Sequence, residues 1–140
     1  MSIIIIDKNS LSQFIRKINK KINSDNKESG TNIPSILPND NFIILLRDTK
    51  SDSILSLIWY GIYQNDEFGK ILHVNYSYTF LQFRNKGYNK LLRTKLELIG
   101  IENCVEYMTS CPFENSGSRQ ILIKLGYTNR NNFFYKKIII

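Results

Sequence analysis

The stretch from Phe42 to Phe80 limits what this chain can fold into more than any other. It holds two apolar, β-rich runs, Phe42 to Leu46 and Ile54 to Ile62, separated by the polar segment Arg47 to Ser53. After a turn at Asn65 to Gly69 comes a third run, Ile71 to Phe80, rich in Val, Tyr and Thr. Runs of this length, bounded by turn residues, predict three antiparallel strands joined by hairpins.

The flanks add helices and further strands. Ile3 to Ile6 is a short β-branched run, and Asp7, Asn9 and Ser10 follow it as candidate caps for a helix. That helix would carry Leu11, Phe14, Ile15, Ile18 and Ile22 on one face. Ser24 to Asn41 is polar, with Gly30, Pro34 and Pro38, and reads as a long surface loop with room for one helical turn at Ile36. Such a loop is either part of a substrate site or a plain connection. Downstream, Leu91, Leu92, Lys95, Leu96 and Ile99 mark a helix after Gly87, with Gly100 as its terminating residue. A strand is expected near Cys104 to Ser110, a helix over Asn115 to Leu125 stopped by Gly126, and a last strand over Phe133 to Ile140. The order is strand, helix, three antiparallel strands, helix, strand, helix, strand. Without internal repeats, this is one mixed α/β domain covering residues 1–140.

Composition narrows the partners. With 42% hydrophobic and 22% charged residues the chain has enough apolar surface to collapse into a globule. A net charge of +7 favours anionic partners: nucleic acid, an acidic membrane or a phosphorylated small molecule. The lysines are scattered and no aromatic residues interleave with them in an RNA-recognition pattern, which argues against nucleic acid. Ile3 to Ile6 is too short for a membrane span or a signal segment, so a soluble cytoplasmic protein is expected. Cys104 and Cys111 are the only cysteines, and without a CxxC or Cys/His cluster they suggest buried or reduced thiols and no metal site. Association into a homodimer is left open.

The segment with the most chemistry is Gln82-Phe83-Arg84-Asn85-Lys86-Gly87-Tyr88-Asn89, set between a long strand and a helix. Backbone N–H groups at a helix N-terminus, with the positive end of the helix dipole behind them, can cradle a phosphate. Gly87 allows close backbone approach, and Arg84 and Lys86 add charge. A solvated turn before a surface helix would look the same.

Two further details carry a resemblance. Arg84-x-x-Gly87-x-Asn89, followed by Leu91 and Leu92, resembles the Arg/Gln-x-x-Gly-x-Gly/Ala loop of the GNAT superfamily of N-acetyltransferases. Asn115, followed by Lys124-Leu125-Gly126-Tyr127, is similar to the family's downstream Asn and its helix ending in Lys-x-Gly-aromatic. The resemblance covers Ile71 to Tyr135. It implies a mostly antiparallel sheet splayed between its central strands, with helices on both faces, and acetyl-CoA as cofactor. It also implies that Thr79 and Leu81 offer main-chain groups to the pantetheine arm. Phe83, Arg84, Asn85, Lys86, Gly87, Tyr88 and Asn89 would offer amides to the pyrophosphate, and Asn115 would touch the arm from the other side. The amine acceptor would attack the acetyl carbonyl directly, with a strand N–H steadying the oxyanion.

The chain departs from the family twice. Asn89 stands where the family has Gly or Ala, so its side chain would either crowd the pyrophosphate or bond to it. Leu122 stands where many members have the Tyr that protonates the departing thiolate. As general base, His73, the only histidine, is one candidate, since its ordinary pKa of about 6.5 suits proton removal from an ammonium. Glu106 on the next strand is the other, and for both an ordinary structural role is the competing explanation. Tyr76 and Tyr78 would share one face and fill core or line an acceptor pocket. The stretch from Gly69 to Arg84 has some similarity to glucosamine-phosphate acetyltransferases, although Asn75 and Tyr76 replace their acidic pair. An acetyltransferase acting on an amino-sugar phosphate or protein amine is thus the leading expectation. The alternatives are a catalytically weakened module that binds CoA or a protein partner, and a basic nucleic-acid-binding domain.

Overall fold

The computed structural model describes residues 1–6, 8–30, 42–112 and 117–138, with no side-chain detail for 8–14. It contains β1 (Ser2–Ile6), α1 (Lys8–Ser29), β2 (Phe42–Arg47), β3 (Ile54–Asn65) and β4 (Gly69–Thr79). A short 3-10 turn (Leu81–Phe83) leads to α2 (Tyr88–Glu102), β5 (Tyr107–Ser110), α3 (Ser118–Lys124), β6 (Thr128–Arg130) and β7 (Phe133–Lys137). The strands form one sheet in the order β1-β2-β3-β4-β5-β7-β6. Every pairing is antiparallel except β4 with β5, the one that needs a crossover, which α2 supplies.

Alternation along the strands gives the sheet two apolar faces. Ile44, Leu46, Ile58, Tyr60, Leu72, Val74, Met108 and Phe134 pack under α2 and α3, meeting Leu92, Leu96, Ile99 and Leu122. Ile43, Leu45, Leu57, Trp59, Tyr76 and Tyr78 point the other way and are covered by Ile15, Ile18 and Ile22 of α1. Helices thus cover both faces of a mixed, mostly antiparallel sheet, as expected.

Two irregularities in β4 position the site. Tyr60 pairs with Val74 while Trp59 pairs with Tyr76, so Asn75 is an extra residue bulged out of the ladder. A bulge reverses the inward and outward alternation beyond it. Leu72 and Val74 therefore face α2, whereas Tyr76 and Tyr78 face α1 and Ser77 faces α2. On the other edge β4 pairs with β5 only from Ile71 to Val74. From Asn75 to Thr79 it runs on without a strand partner on that side among the described residues, and the sheet splays.

Several boundaries differ from those expected. Helix α1 continues through Ser29, where a loop from Ser24 was expected, because Asp25 turns inward, is 3% exposed, and accepts hydrogen bonds from Tyr78 Oη and the Leu81 amide (both 2.9 Å). The turn expected at Ile36 lies outside the described residues. Helix α2 does not stop at Gly100 but runs to Glu102. Gly100 is there for close packing: a Cβ would lie 2.9 Å from Ile138 Cδ1 and 3.0 Å from Met108 Sδ. Strand β6 was not anticipated. Cys104 and Cys111 are free thiols, both exposed, so neither is a buried core residue.

Candidate active site

The site is built where the splayed end of β4 meets the start of α2. Gly87, at the N-cap of α2, has φ +77°, a left-handed conformation that favours glycine, and a Cβ there would meet nothing within 4 Å. No side chain caps α2 and no acidic residue sits in its first turn. The amides of Tyr88, Asn89 and Lys90 have no intrahelical acceptor, because the first helical N–H groups never do. Leu91 N–H is the first to bond within the turn, to Gly87 O at 3.0 Å. The result is an open, positively polarised loop and helix end, suited to an anion.

Not every group assigned to this cradle is available. The Phe83 amide donates to Phe80 O at 2.8 Å and the Arg84 amide to Leu81 O at 3.4 Å, inside the 3-10 turn. The Leu81 amide is held by Asp25, so Leu81 can offer only its carbonyl. Thr79 O already accepts from Arg84 Nε at 2.9 Å, and the Arg84 guanidinium lies 5.3 Å over the Tyr78 ring. The Arg84 side chain therefore braces the end of β4. The amides of Asn85, Lys86, Gly87, Tyr88 and Asn89 have no acceptor among the described residues, which narrows the cradle to Asn85 through Lys90. Asn115 lies outside the described residues.

Asn89 neither crowds the cradle nor reaches into it. Its side chain is buried, and Oδ1 accepts a hydrogen bond from Arg93 Nε at 2.8 Å, one turn along α2. Arg93 is 1% exposed, and its Nη2 donates to Ser77 Oγ at 3.1 Å. Ser77 Oγ in turn lies 3.1 Å from Ser118 Oγ, at the start of α3. This chain was not anticipated, yet it left a trace: positions 89, 93, 96 and 100 fall on one helical face together with the core residues Leu92 and Ile99.

Between the parting strands is a cleft. Val74 to Ser77 form one wall, Ser110, Cys111 and Pro112 the other, and Ser118 closes it. His73 sits on the rung next to the parting: His73 pairs with Thr109, and Val74 with Ser110 is the last pair. Its Nδ1 is 2.7 Å from Thr109 Oγ1, and its ring stacks on Phe133 with centroids 6.5 Å apart. Nε2 is left without a hydrogen-bond partner among the described residues. Burial lowers the His73 pKa, because desolvation disfavours the imidazolium. Glu106 is exposed, precedes β5 at the end away from the parting, and packs across Gly69. His73 thus lies one rung from the parting without lining the cleft itself, and Glu106 lies at the far end of the β4–β5 pairing. Tyr76 and Tyr78 are buried against α1, and Tyr76 also contributes to the cleft wall.

Among the described residues no group of three or more His, Cys, Asp or Glu residues could hold a metal, and no helix is long and apolar enough to cross a membrane.

No protein-family model and no curated protein matches the chain. Solved structures do. An acetyltransferase of the GNAT family from Staphylococcus aureus Mu50 superimposes with a TM-score of 0.70 at 15% identity, covering 99% of this chain and 100% of that one. A ribosomal-protein-alanine N-acetyltransferase from Brucella melitensis biovar Abortus 2308 gives 0.69 at 13% identity, with 94% of each chain covered. The NatB acetyltransferase complex bound to CoA and MES gives 0.68 at 14%, covering 99% of this chain and 100% of that chain. The chain has the fold of the GNAT N-acetyltransferases, as its loop and helix motifs led us to expect.

Proposed function

We propose that this protein is an N-acetyltransferase that moves an acetyl group from acetyl-CoA to a primary amine. The observation that carries the reading is the opening of the sheet between β4 and β5 beside an uncapped helix end whose loop is open over Gly87. A flexible thiol arm can enter between the strands while its pyrophosphate rests on the amides of Asn85 through Lys90. The residues fit the cofactor: the loop carries Lys86 and no acid, and the space around Gly87 is open, since a Cβ there would meet nothing within 4 Å.

Acetyl-CoA supplies an activated thioester carbonyl. The chain's own residues do the rest. The free N–H groups along the splayed edge of β4 can steady the oxyanion. His73, with Nδ1 fixed on Thr109, presents Nε2 as the base that takes a proton from the incoming ammonium. Its lowered pKa keeps it neutral, and hence able to accept, at pH 7. Cys111, an exposed residue whose thiol pKa is raised by partial desolvation, is a poor nucleophile, consistent with direct attack by the amine. For the acceptor we favour an amino-sugar phosphate, which suits the net charge of +7, or a protein amine such as the one named for the Brucella neighbour.

A second reading is a module that binds CoA but transfers acetyl slowly. It is favoured by Leu122, fully buried in the core where a proton-donating tyrosine would serve. Calorimetry with acetyl-CoA, followed by free-thiol release over a panel of amines, separates the two. Binding without amine-dependent thiol release would favour the module.

A further inference from the structure

Arg93 is the least explained charge in the molecule. It is 1% exposed, no carboxylate pairs with it among the described residues, and its Nη1 is buried without a hydrogen-bond partner. Burial brings its pKa down to about 10, which still leaves it cationic at neutral pH. An uncompensated buried charge is destabilising, and an apolar side chain of similar size would fit the site at less cost.

The hydrogen-bond pattern shows where that charge is directed. A guanidinium only donates, so Ser77 Oγ accepts from Arg93 Nη2 at 3.1 Å. Ser77 then has its own proton to give, and its neighbour at 3.1 Å is Ser118 Oγ. Each donation polarises the next O–H in a low-dielectric setting. The chain ends on the Ser118 hydroxyl, and both serines line the cleft between the parted strands. Asn89 fixes the other side of the guanidinium at 2.8 Å. A charge-backed donor aimed into a cleft suits a partner on which negative charge develops. Two nearby phenols are placed elsewhere: Tyr78 donates its proton to Asp25 Oδ2 at 2.9 Å, and neither Tyr78 nor Tyr127 lines the cleft.

Resting on the acetyl-transfer reading, we propose that Ser118, polarised through Ser77 by Arg93, donates the hydrogen bond that holds the departing sulfur. The amine nitrogen bonds to the acetyl carbon, the carbon–sulfur bond breaks, and its electron pair stays on sulfur. One proton of the incoming ammonium goes to His73 before attack, and the second, left on nitrogen once the bond to carbon has formed, passes to solvent as the carbon–sulfur bond breaks. Ser118 keeps its own proton while bonding the thiolate, which is protonated by solvent on release. Ser118 is then a catalytic residue, and Ser77 and Arg93 are positioning residues.

The test is the ionisation of CoA bound to the protein, followed by thiolate ultraviolet absorbance against pH, with the desulfo-CoA complex as blank to cancel the tyrosines. Bound CoA should ionise at lower pH than free CoA, giving about tenfold more thiolate at a given pH, as one charge-assisted hydrogen bond allows. Ser118→Ala and Arg93→Met should each remove most of that gain, bind desulfo-CoA like the parent, and lower kcat with KM for the donor unchanged. Ser118→Ala, half-buried at the cleft edge, carries the test if Arg93→Met folds poorly. Equal thiolate fractions in parent and Ser118→Ala, with CoA bound to both, would overturn the relay and leave the cofactor reading standing. If the parent binds neither CoA nor desulfo-CoA, the cofactor reading fails and the relay fails with it.

Discussion

Two substitutions at Gly87 should separate the strain of the loop before α2 from its electrostatics. Gly87 has φ +77° and open space where a Cβ would point, so Gly87→Ala costs only backbone strain, about 1 kcal/mol. In a domain of this size that lowers Tm by about 3–6 °C. Gly87→Asp bears the same strain but puts a negative charge at the uncapped, positively polarised end of α2, recovering about 0.3–1 kcal/mol. Without ligand, the Asp variant should melt at or slightly above the Ala variant. For CoA the order should reverse. A carboxylate within about 4–6 Å of a pyrophosphate in a partly screened site opposes binding by about 1–3 kcal/mol, a loss of about 5- to 150-fold relative to Gly87→Ala. Melting curves and calorimetry on the three proteins give both quantities. If Gly87→Asp binds CoA as tightly as Gly87→Ala, the pyrophosphate does not rest on this loop.

Three further outcomes are expected. His73→Ala should lower kcat/KM about a hundredfold with CoA affinity unchanged, and the ascending limb of the parent's pH profile should lie below 6.5 and vanish in the variant. Since folding lowers the His73 pKa, stability attributable to it is complete above pH 6.5 and lost as pH falls through the folded value. His73→Phe should therefore flatten the acid side of a Tm-against-pH curve, and an unchanged slope would contradict the burial of His73. Asp25→Ala strands the Tyr78 hydroxyl and the Leu81 amide and should cost about 3 kcal/mol, measurable by urea unfolding. Gly100→Ala should be nearly neutral, helix propensity offsetting the push on Ile138 and Met108, whereas Gly100→Val should destabilise by about 1–3 kcal/mol in the same assay.

Much of the architecture was legible because β2, β3, β4 and α2 bury long apolar stripes with clear periods. What escaped the sequence was held by tertiary contacts. Residues 24–29 are polar and look like a loop, but Asp25 has two partners more than 50 positions away that keep it helical. Strand β6 is exposed at all three positions, so it shows no alternation to read. Gly100 has the signature of a helix stop, and only its distance to β5 and Ile138 reveals a packing role. At the site, the loop around Gly87 was visible as a motif, whereas the loss of the Phe83, Arg84 and Leu81 amides to local turns and to Asp25 was not. Arg93 sits among Lys90, Lys95 and other surface-like charges, and only its alignment with Asn89 and Leu96 marks it as inward.

The most direct test of the central claim is a single incubation of the protein with acetyl-CoA and a panel of primary amines, amino-sugar phosphates and N-terminal peptides included, in which free thiol and product mass are followed together. The expected result is thiol release that requires both protein and one class of amine, matched mole for mole by that amine carrying one acetyl group, and lost in His73→Ala. Thiol release no faster than in buffer for every amine, from a protein that calorimetry shows to be saturated with acetyl-CoA, would contradict the assignment as an enzyme.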